Sequence, residues 1–288
     1  MSRSTSTFPP LRLAAALIAG LFFLVACDME PIAPEAEAAL EATAEAQGAA
    51  LNMANSMALF PTWQQNFQHD IEGWEYQGAG WCGSMERVEA RRGGSAGSAI
   101  SPSVGSAFAR IAHSDCSDGW EVIFPDGSGP ASSVMPEGES FPDAGYVMDL
   151  DIYLDPDWDD GTAFEYSASF RVLDQDSPAH FRYYMHDVAA ADGVLTIDGH
   201  SVSEAGWYTF RHRFAADDDG MLAVHFEVRK GGQQVFSEEL PMVVDFAVGA
   251  VPTNSFPVSN VGNAYLWFPS LTAGLELAID RQMMRLGR

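Results

Sequence analysis

Basic side chains are scarce in this 288-residue chain. Its 15 Lys and Arg stand against 40 Asp and Glu, a formal net charge of −25, and lysine occurs once, at Lys230. A phosphate backbone needs a basic surface, so nucleic acid is excluded as a partner. Cysteine is scarce too, with three in the chain. The chain has no Gly-rich phosphate loop, no His-Glu-x-x-His zinc motif and no Gly-x-Ser-x-Gly nucleophile elbow. No redox cofactor is implied. No compact Glu-x-Asp-x-x-Glu signature announces a pair of glycosidase carboxylates. There is no internal repeat and no sign of a second domain. What is abundant is apolar and aromatic. Hydrophobic residues make up 47% and charged residues 19%, which suits a globular core and argues against a disordered chain. Eighteen Phe, 8 Tyr and 7 Trp fill that core, and 26 Gly with 16 Pro allow many turns between short strands.

The one extended apolar run is Leu11–Ala26, LRLAAALIAGLFFLVA, after a polar stretch carrying Arg3. It is too short and wrongly flanked for a stable membrane-spanning helix, and residues 1–26 read as a secretory signal. The run ends in Leu24-Val25-Ala26-Cys27, which resembles the lipobox of bacterial lipoproteins. The resemblance implies that Cys27 is diacylated and begins a mature envelope protein anchored to the membrane by lipid. Cleavage there removes Arg3 and Arg12 and makes the remainder still more acidic. Cys82 and Cys116 are left, and in an exported protein they are expected to form one disulfide, worth about 3–4 kcal/mol in the chain-entropy model. Two free thiols are the alternative. Residues 27–60 include Glu35–Met57, rich in Ala and Glu but without a wide apolar stripe. They read as a tether, partly helical or disordered, ahead of a domain at 61–288.

From Trp63 onward the hydrophobic period is two. Tyr146–Leu154 places Tyr146, Met148, Leu150, Ile152 and Leu154 on one face, opposite Asp149, Asp151 and Tyr153. Phe164–Val172 alternates in the same way. Such alternation marks antiparallel strands with one face buried. Further strands are expected at Trp120–Phe124, Phe181–Val188, Val194–Asp198, Trp207–Phe214, Leu222–Arg229, Gln233–Ser237, Ala264–Phe268 and Leu275–Asp280. Many strands and no intervening helices predict an all-β fold, an antiparallel β-sandwich of the jelly-roll type. Trp207–Phe214 and Leu222–Arg229 flank an acidic turn and are expected to pair with Phe214 opposite Leu222 and Phe210 opposite Phe226. That register puts His212 on the apolar face, as a hydrogen-bonded core histidine. It gathers Arg211, Arg213, His225, Glu227 and Trp207 on the other.

Gly206-Trp207-Tyr208-Thr209-Phe210-Arg211-His212-Arg213-Phe214 resembles a motif of secreted bacterial jelly-roll domains. Asp151–Trp158, His180-Phe181-Arg182, Gly262–Phe268 and Leu277–Asp280 resemble other stretches of the same group. Where that group has an acidic residue after the His-x-Arg stretch, this chain has Tyr183. The resemblance covers about half of the chain. It implies a concanavalin-like or laminin-G-like sandwich, a class in which many members bind or cut glycans. The Arg-Glu and Gln-x-His motifs of alginate-lyase-like sandwiches are absent.

Three groups of residues are candidates for a site. His180, Arg182, Tyr184 and His186 alternate on one face of a strand, with Phe181, Tyr183 and Met185 on the other. On a concave sheet this row would line a sugar groove, with Arg and aromatic planes stacking on ring faces. As a general base and acid, His and Tyr would serve a polysaccharide lyase or glycosidase. The plain alternative is a solvated sheet face with cross-strand pairs. Arg211, His225 and Glu227 form the second group, read by itself as a surface ion-pair lattice. Asp155, Asp157 and Asp159, followed by Asp160 and Gly161, have the spacing of a calcium loop but miss the EF-hand pattern. Calcium is thus the one candidate cofactor. The combined expectation is an envelope lipoprotein that holds a glycan or a surface partner. The alternatives are a lyase or glycosidase in the same groove, or a structural envelope protein with no small ligand.

Overall fold

A computed structural model describes residues 63–71, 74–77, 83–90, 100–113, 122–125, 141–173 and 181–287. Cys27, Cys82 and Cys116, and with them the expected anchor and the expected disulfide, lie outside the described residues. The chain begins with β1 (Trp63–Gln65), β2 (Trp74–Gln77), β3 (Gly83–Glu89), β4 (Ala107–His113) and β5 (Val122–Pro125). There follow β6 (Tyr146–Leu154), β7 (Ala163–Val172), β8 (Phe181–Ala191), β9 (Val194–Ile197), β10 (His200–Val202) and β11 (Gly206–Ala216). The last are β12 (Leu222–Lys230), β13 (Gln233–Glu239), β14 (Met242–Asp245), β15 (Gly249–Pro252), β16 (Val261–Leu271) and β17 (Glu276–Leu286).

These strands make an antiparallel β-sandwich of the jelly-roll type. In the eight-stranded sheet β13, β12, β11, β6, β17, β4 and β3 lie side by side, with β1 also paired to β17. In the seven-stranded sheet β16, β7 and β8 are neighbours, and β9–β10 and β14–β15 continue beyond β8. The inner faces meet through aromatic rings. Tyr166 of β7 packs edge-on against Phe210 of β11 at 5.2 Å, and Tyr184 of β8 does so against Phe214 of β11 at 6.1 Å. Fully buried Phe164, Phe170, Phe210, Phe214, Phe226 and Phe268 join the same cluster. Each such burial contributes about 1.5–3 kcal/mol before the cost of ordering the chain.

The hairpin β11–β12 keeps the expected faces but not the expected partners. Phe214 lies opposite Val224, His212 opposite Phe226 and Phe210 opposite Val228, a register shifted by two residues. The turn decides this. Asp217 Oδ1 accepts the N–H groups of Asp219 and Met221 at 2.9 Å each, and Gly220 takes a φ of +75°. This tight closure starts at Asp217, so Ala215 and Ala216 extend the strand. A shift of two preserves the side-chain faces, whereas a shift of one would have inverted them.

Candidate functional site

On the outer face of the eight-stranded sheet the central strands carry charge. Asp149 is only 1% exposed there and Asp151 only 2%, although both point away from the sandwich core. Arginines cover them. Arg211 donates from Nε and Nη2 to the two oxygens of Asp149, at 2.6 and 2.8 Å. Arg285 Nη2 lies 3.6 Å from the same carboxylate. Arg211 Nη1 is 3.5 Å from Glu227, directly across the ladder, and His225 sits opposite Arg213. Arg211, His225 and Glu227 therefore share one face, as expected, but on the sheet that does not contain β8.

Beside this lattice is an open cavity of about 460 Å³, walled by Ser103, Asp151, Trp207, Thr209, Lys230 and Arg281. Asp151 is its hub. Its Oδ1 accepts from Thr209 Oγ1 at 2.6 Å and from Arg281 Nη2 at 2.8 Å, and its Oδ2 accepts from the Ser103 hydroxyl. Arg281 occupies a bulge in β17 with a φ of +40°, a left-handed conformation that a residue with a Cβ seldom adopts. The bulge turns its side chain toward the cavity, where its Nε has no hydrogen-bond partner. Neighbouring Asp280 is buried and accepts the N–H groups of Val104 and Arg281 at 3.0 and 2.7 Å. Burial outweighs these bonds and pushes its carboxyl up to about 6. Trp207 is held edge-on by Phe108 and Tyr153, and its Nε1 donates to Ser101 O at 2.6 Å. Lys230 Nζ reaches Glu204 Oε2 at 2.7 Å.

The row on β8 is corrected by the structure. Arg182, Tyr184 and His186 are 4%, 3% and 2% exposed and face inward, so they line no open groove; His180 lies outside the described residues. Each inward polar group has an internal partner, which is how a polar row survives in a core. Arg182 Nη2 meets Asp245 at 2.7 Å, and the Tyr184 hydroxyl donates to Thr253 Oγ1 at 3.2 Å. His186 Nδ1 is 2.6 Å from Asp198 Oδ2, and its Nε2 is 2.9 Å from His212 Nε2. Burial, then the neighbouring His186, holds His212 well below the ordinary histidine range. His212 is thus the hydrogen-bonded core histidine its position implied. The aromatic row of β8 faces outward instead. Tyr183 packs against Trp267 and the 67% exposed Phe246, each at 4.6 Å, and Phe181 against Tyr265 at 5.4 Å.

The acidic turn does not gather its carboxylates. Asp155 Oδ1 accepts the N–H of Asp157 at 3.0 Å, while Asp157 and Asp159 line a separate open pocket with Trp158 and Thr272. Among the described residues the His, Cys, Asp and Glu donors that converge on one point are those of His186, Asp198 and Glu238. Ser103, Lys230, Arg281, Asp198 and Glu238 were not among the expected site residues. The Asp198-Gly199 dipeptide was a visible turn signal. Nothing local marks the others, which meet only through sheet register.

No family model matches the chain, and no curated protein matches it. Among solved structures it is similar to an endo-β-1,4-glucuronan lyase from the fungus Trichoderma reesei. The identity is 9% and the TM-score 0.44, over 78% of this chain and 95% of that one. It is also similar to a family 11 carbohydrate-binding module from Clostridium thermocellum in complex with a β-1,3-1,4-mixed-linked tetrasaccharide. There the identity is 9% and the TM-score 0.37, over 78% of this chain and 95% of that one. A protein of unknown function from Shewanella oneidensis MR-1 matches at 12% identity and a TM-score of 0.39, over 77% of this chain and 84% of that one. Likeness at this level concerns architecture, and no site residue is carried across from it.

Proposed function

We propose that this is a carbohydrate-binding β-sandwich, held at the bacterial cell envelope by lipid on Cys27, with the glycan seated in the Trp207–Arg281 cavity. The observation that carries the binding reading is the cavity wall. An indole, two hydroxyls, a carboxylate and two cations converge on about 460 Å³, a size within the range of small-ligand clefts. The Asp151, Thr209, Arg281 and Trp207 side chains are already oriented by partners, so a ligand need not order them. Indole offers an apolar plane to a sugar ring, while Arg281, Lys230 and Thr209 offer donors to hydroxyls or a carboxylate. The lyase or glycosidase reading rested on β8. With Arg182, Tyr184 and His186 turned into the core, that reading loses the described residues that supported it.

The test is affinity electrophoresis and calorimetry against a panel of neutral and uronic-acid polysaccharides. At least one retards the protein, and Trp207→Ala weakens that binding by about tenfold or more, the scale of 1.4 kcal/mol or above. Tyr183→Ala, on the outer face of the other sheet, leaves it unchanged. No retardation by any polysaccharide, or loss with Tyr183→Ala but not with Trp207→Ala, overturns the assignment.

A further inference from the structure

Three elements that are far apart in sequence bring metal-ligand chemistry together at one point. His186 comes from β8, Asp198 from the turn between β9 and β10, and Glu238 from β13, which is the outermost strand of the opposite sheet. One donor atom from each lies within 4.8 Å of the other two. We propose that His186 Nδ1, Asp198 and Glu238 bind a divalent transition-metal ion of the zinc type, clamping the two sheets together.

The donor set fits that ion class. One imidazole and two carboxylates, with a position left for water, suit zinc and its neighbours, whereas calcium prefers six to eight oxygens. The imidazole is built in. His186 is 2% exposed, its ring is stacked 3.7 Å from Phe226, and its Nε2 meets His212 Nε2 at 2.9 Å. With Nδ1 on the metal, His186 carries its proton on Nε2 and donates it to His212. A hydrogen bond on the second nitrogen is how ligand histidines are oriented. Asp198 is fixed as well. Its Oδ1 accepts the Asp187 N–H at 2.8 Å, which leaves Oδ2 facing His186. Glu238 stands opposite Phe226 in the ladder and so points inward. Among the described residues neither a hydrogen bond nor a cation holds its carboxylate, in a site that already contains the Asp198 carboxylate. Two carboxylates converging on one imidazole, in a chain of net charge −25, leave a negative site that a dication would neutralise. An inward charge on an edge strand also deters edge-to-edge pairing, and that is all Glu238 does if no metal binds.

The experiment uses the untagged full chain at neutral pH, with Co2+ as a spectroscopic probe and Zn2+ in competition with a chromophoric chelator. One equivalent of metal is expected, with visible Co2+ bands of a low-coordinate site. Asp198→Asn and Glu238→Gln are near-isosteric changes at residues that are not fully buried, and metal-free circular dichroism checks that they fold. Each weakens binding by about 100-fold or more, beyond the range for changes that only disturb a ligand's support. Zn2+ at on the order of 100 times its Kd raises the Tm of the unaltered chain by about 5–10 °C and leaves that of the double variant in place. Absence of stoichiometric uptake, or uptake that survives in the double variant, overturns the site.

Discussion

Asp280 is buried beside a cavity that carries cations, and its carboxyl titrates near 6 because burial outweighs the two N–H groups it accepts. The consequence for stability has a definite sign. In the unfolded chain this carboxyl ionises around its ordinary value of 3.8, whereas the folded protein retains the proton up to about 6. Below both values the group is neutral in either state and costs nothing. As pH rises between them the unfolded state loses its proton first, so stability falls, and above the folded value the penalty is constant. Asp280→Asn cannot ionise, and its single amide oxygen accepts only one of the Val104 and Arg281 N–H groups, which Asp280 takes on separate oxygens. Its stability relative to the unaltered protein should therefore be lowest at pH 3, below both values, where only the lost hydrogen bond counts. It should rise by on the order of 1–2 kcal/mol by pH 7, a figure reduced for solvent screening. Urea unfolding at both pH values measures it, and a difference that does not change with pH would show that Asp280 ionises normally in the fold. Residues of this kind were invisible in the sequence. Asp280 looked like the polar end of an alternating strand, and only the bulge at Arg281 and the loop at Val104 bury it.

At the scale of strands, alternation was legible wherever one face is greasy and the other decorated. Tyr146–Leu154 has the expected limits, and β11 and β12 bury the expected faces. Alternation does not say which face is inside when both are mixed, and on β8 it misleads. Arg182, Tyr184 and His186 look like a wet surface, yet each finds a partner in the core, while Phe181 and Tyr183 look like core and form an outer aromatic patch. Strands β10, β14 and β15 are three or four residues long, too short for a period to register. Register itself belongs to turns. Gly145, just ahead of β6, shows how tightly one can be drawn. Its φ is +65°, and a Cβ there would run into the carbonyl oxygen of Phe214 on β11. Gly145→Ala should cost about 2–4 kcal/mol, since both backbone strain and displacement of a neighbouring strand are incurred. Gly193, in the turn between β8 and β9, has a φ of +71° but open space around its Cβ position. Gly193→Ala should cost only the conformational penalty, about 1–2 kcal/mol. Equal losses for the two in denaturant titrations would mean that the Gly145 contact relaxes freely.

Across the whole molecule, the charge bears on how the proposed lipid anchor would hold the protein at a membrane. A net charge of −25 is repelled by anionic headgroups. Under the proposed anchor, attachment then comes from lipid. A single acyl chain gives only marginal, reversible binding, so two or more are needed for a stable anchor, and the diacylated cysteine of the proposed lipoprotein supplies them. The net negative charge opposes this attachment. Cys27→Ser, in a chain whose residues 1–26 are exchanged for a signal peptide that is cleaved without acylation so that the apolar run Leu11–Ala26 does not remain, should therefore leave the membrane fraction completely, with no salt-sensitive remainder. Fractionation of expressing bacterial cells, with radiolabelled palmitate to follow the acyl chains, reads both the label and the location. A Cys27→Ser protein that stays with the membrane until salt is raised would mean that a surface contact holds it there. In that case the acidic sandwich would have to carry a basic or apolar membrane-binding face of its own, and the lipid would no longer explain the attachment.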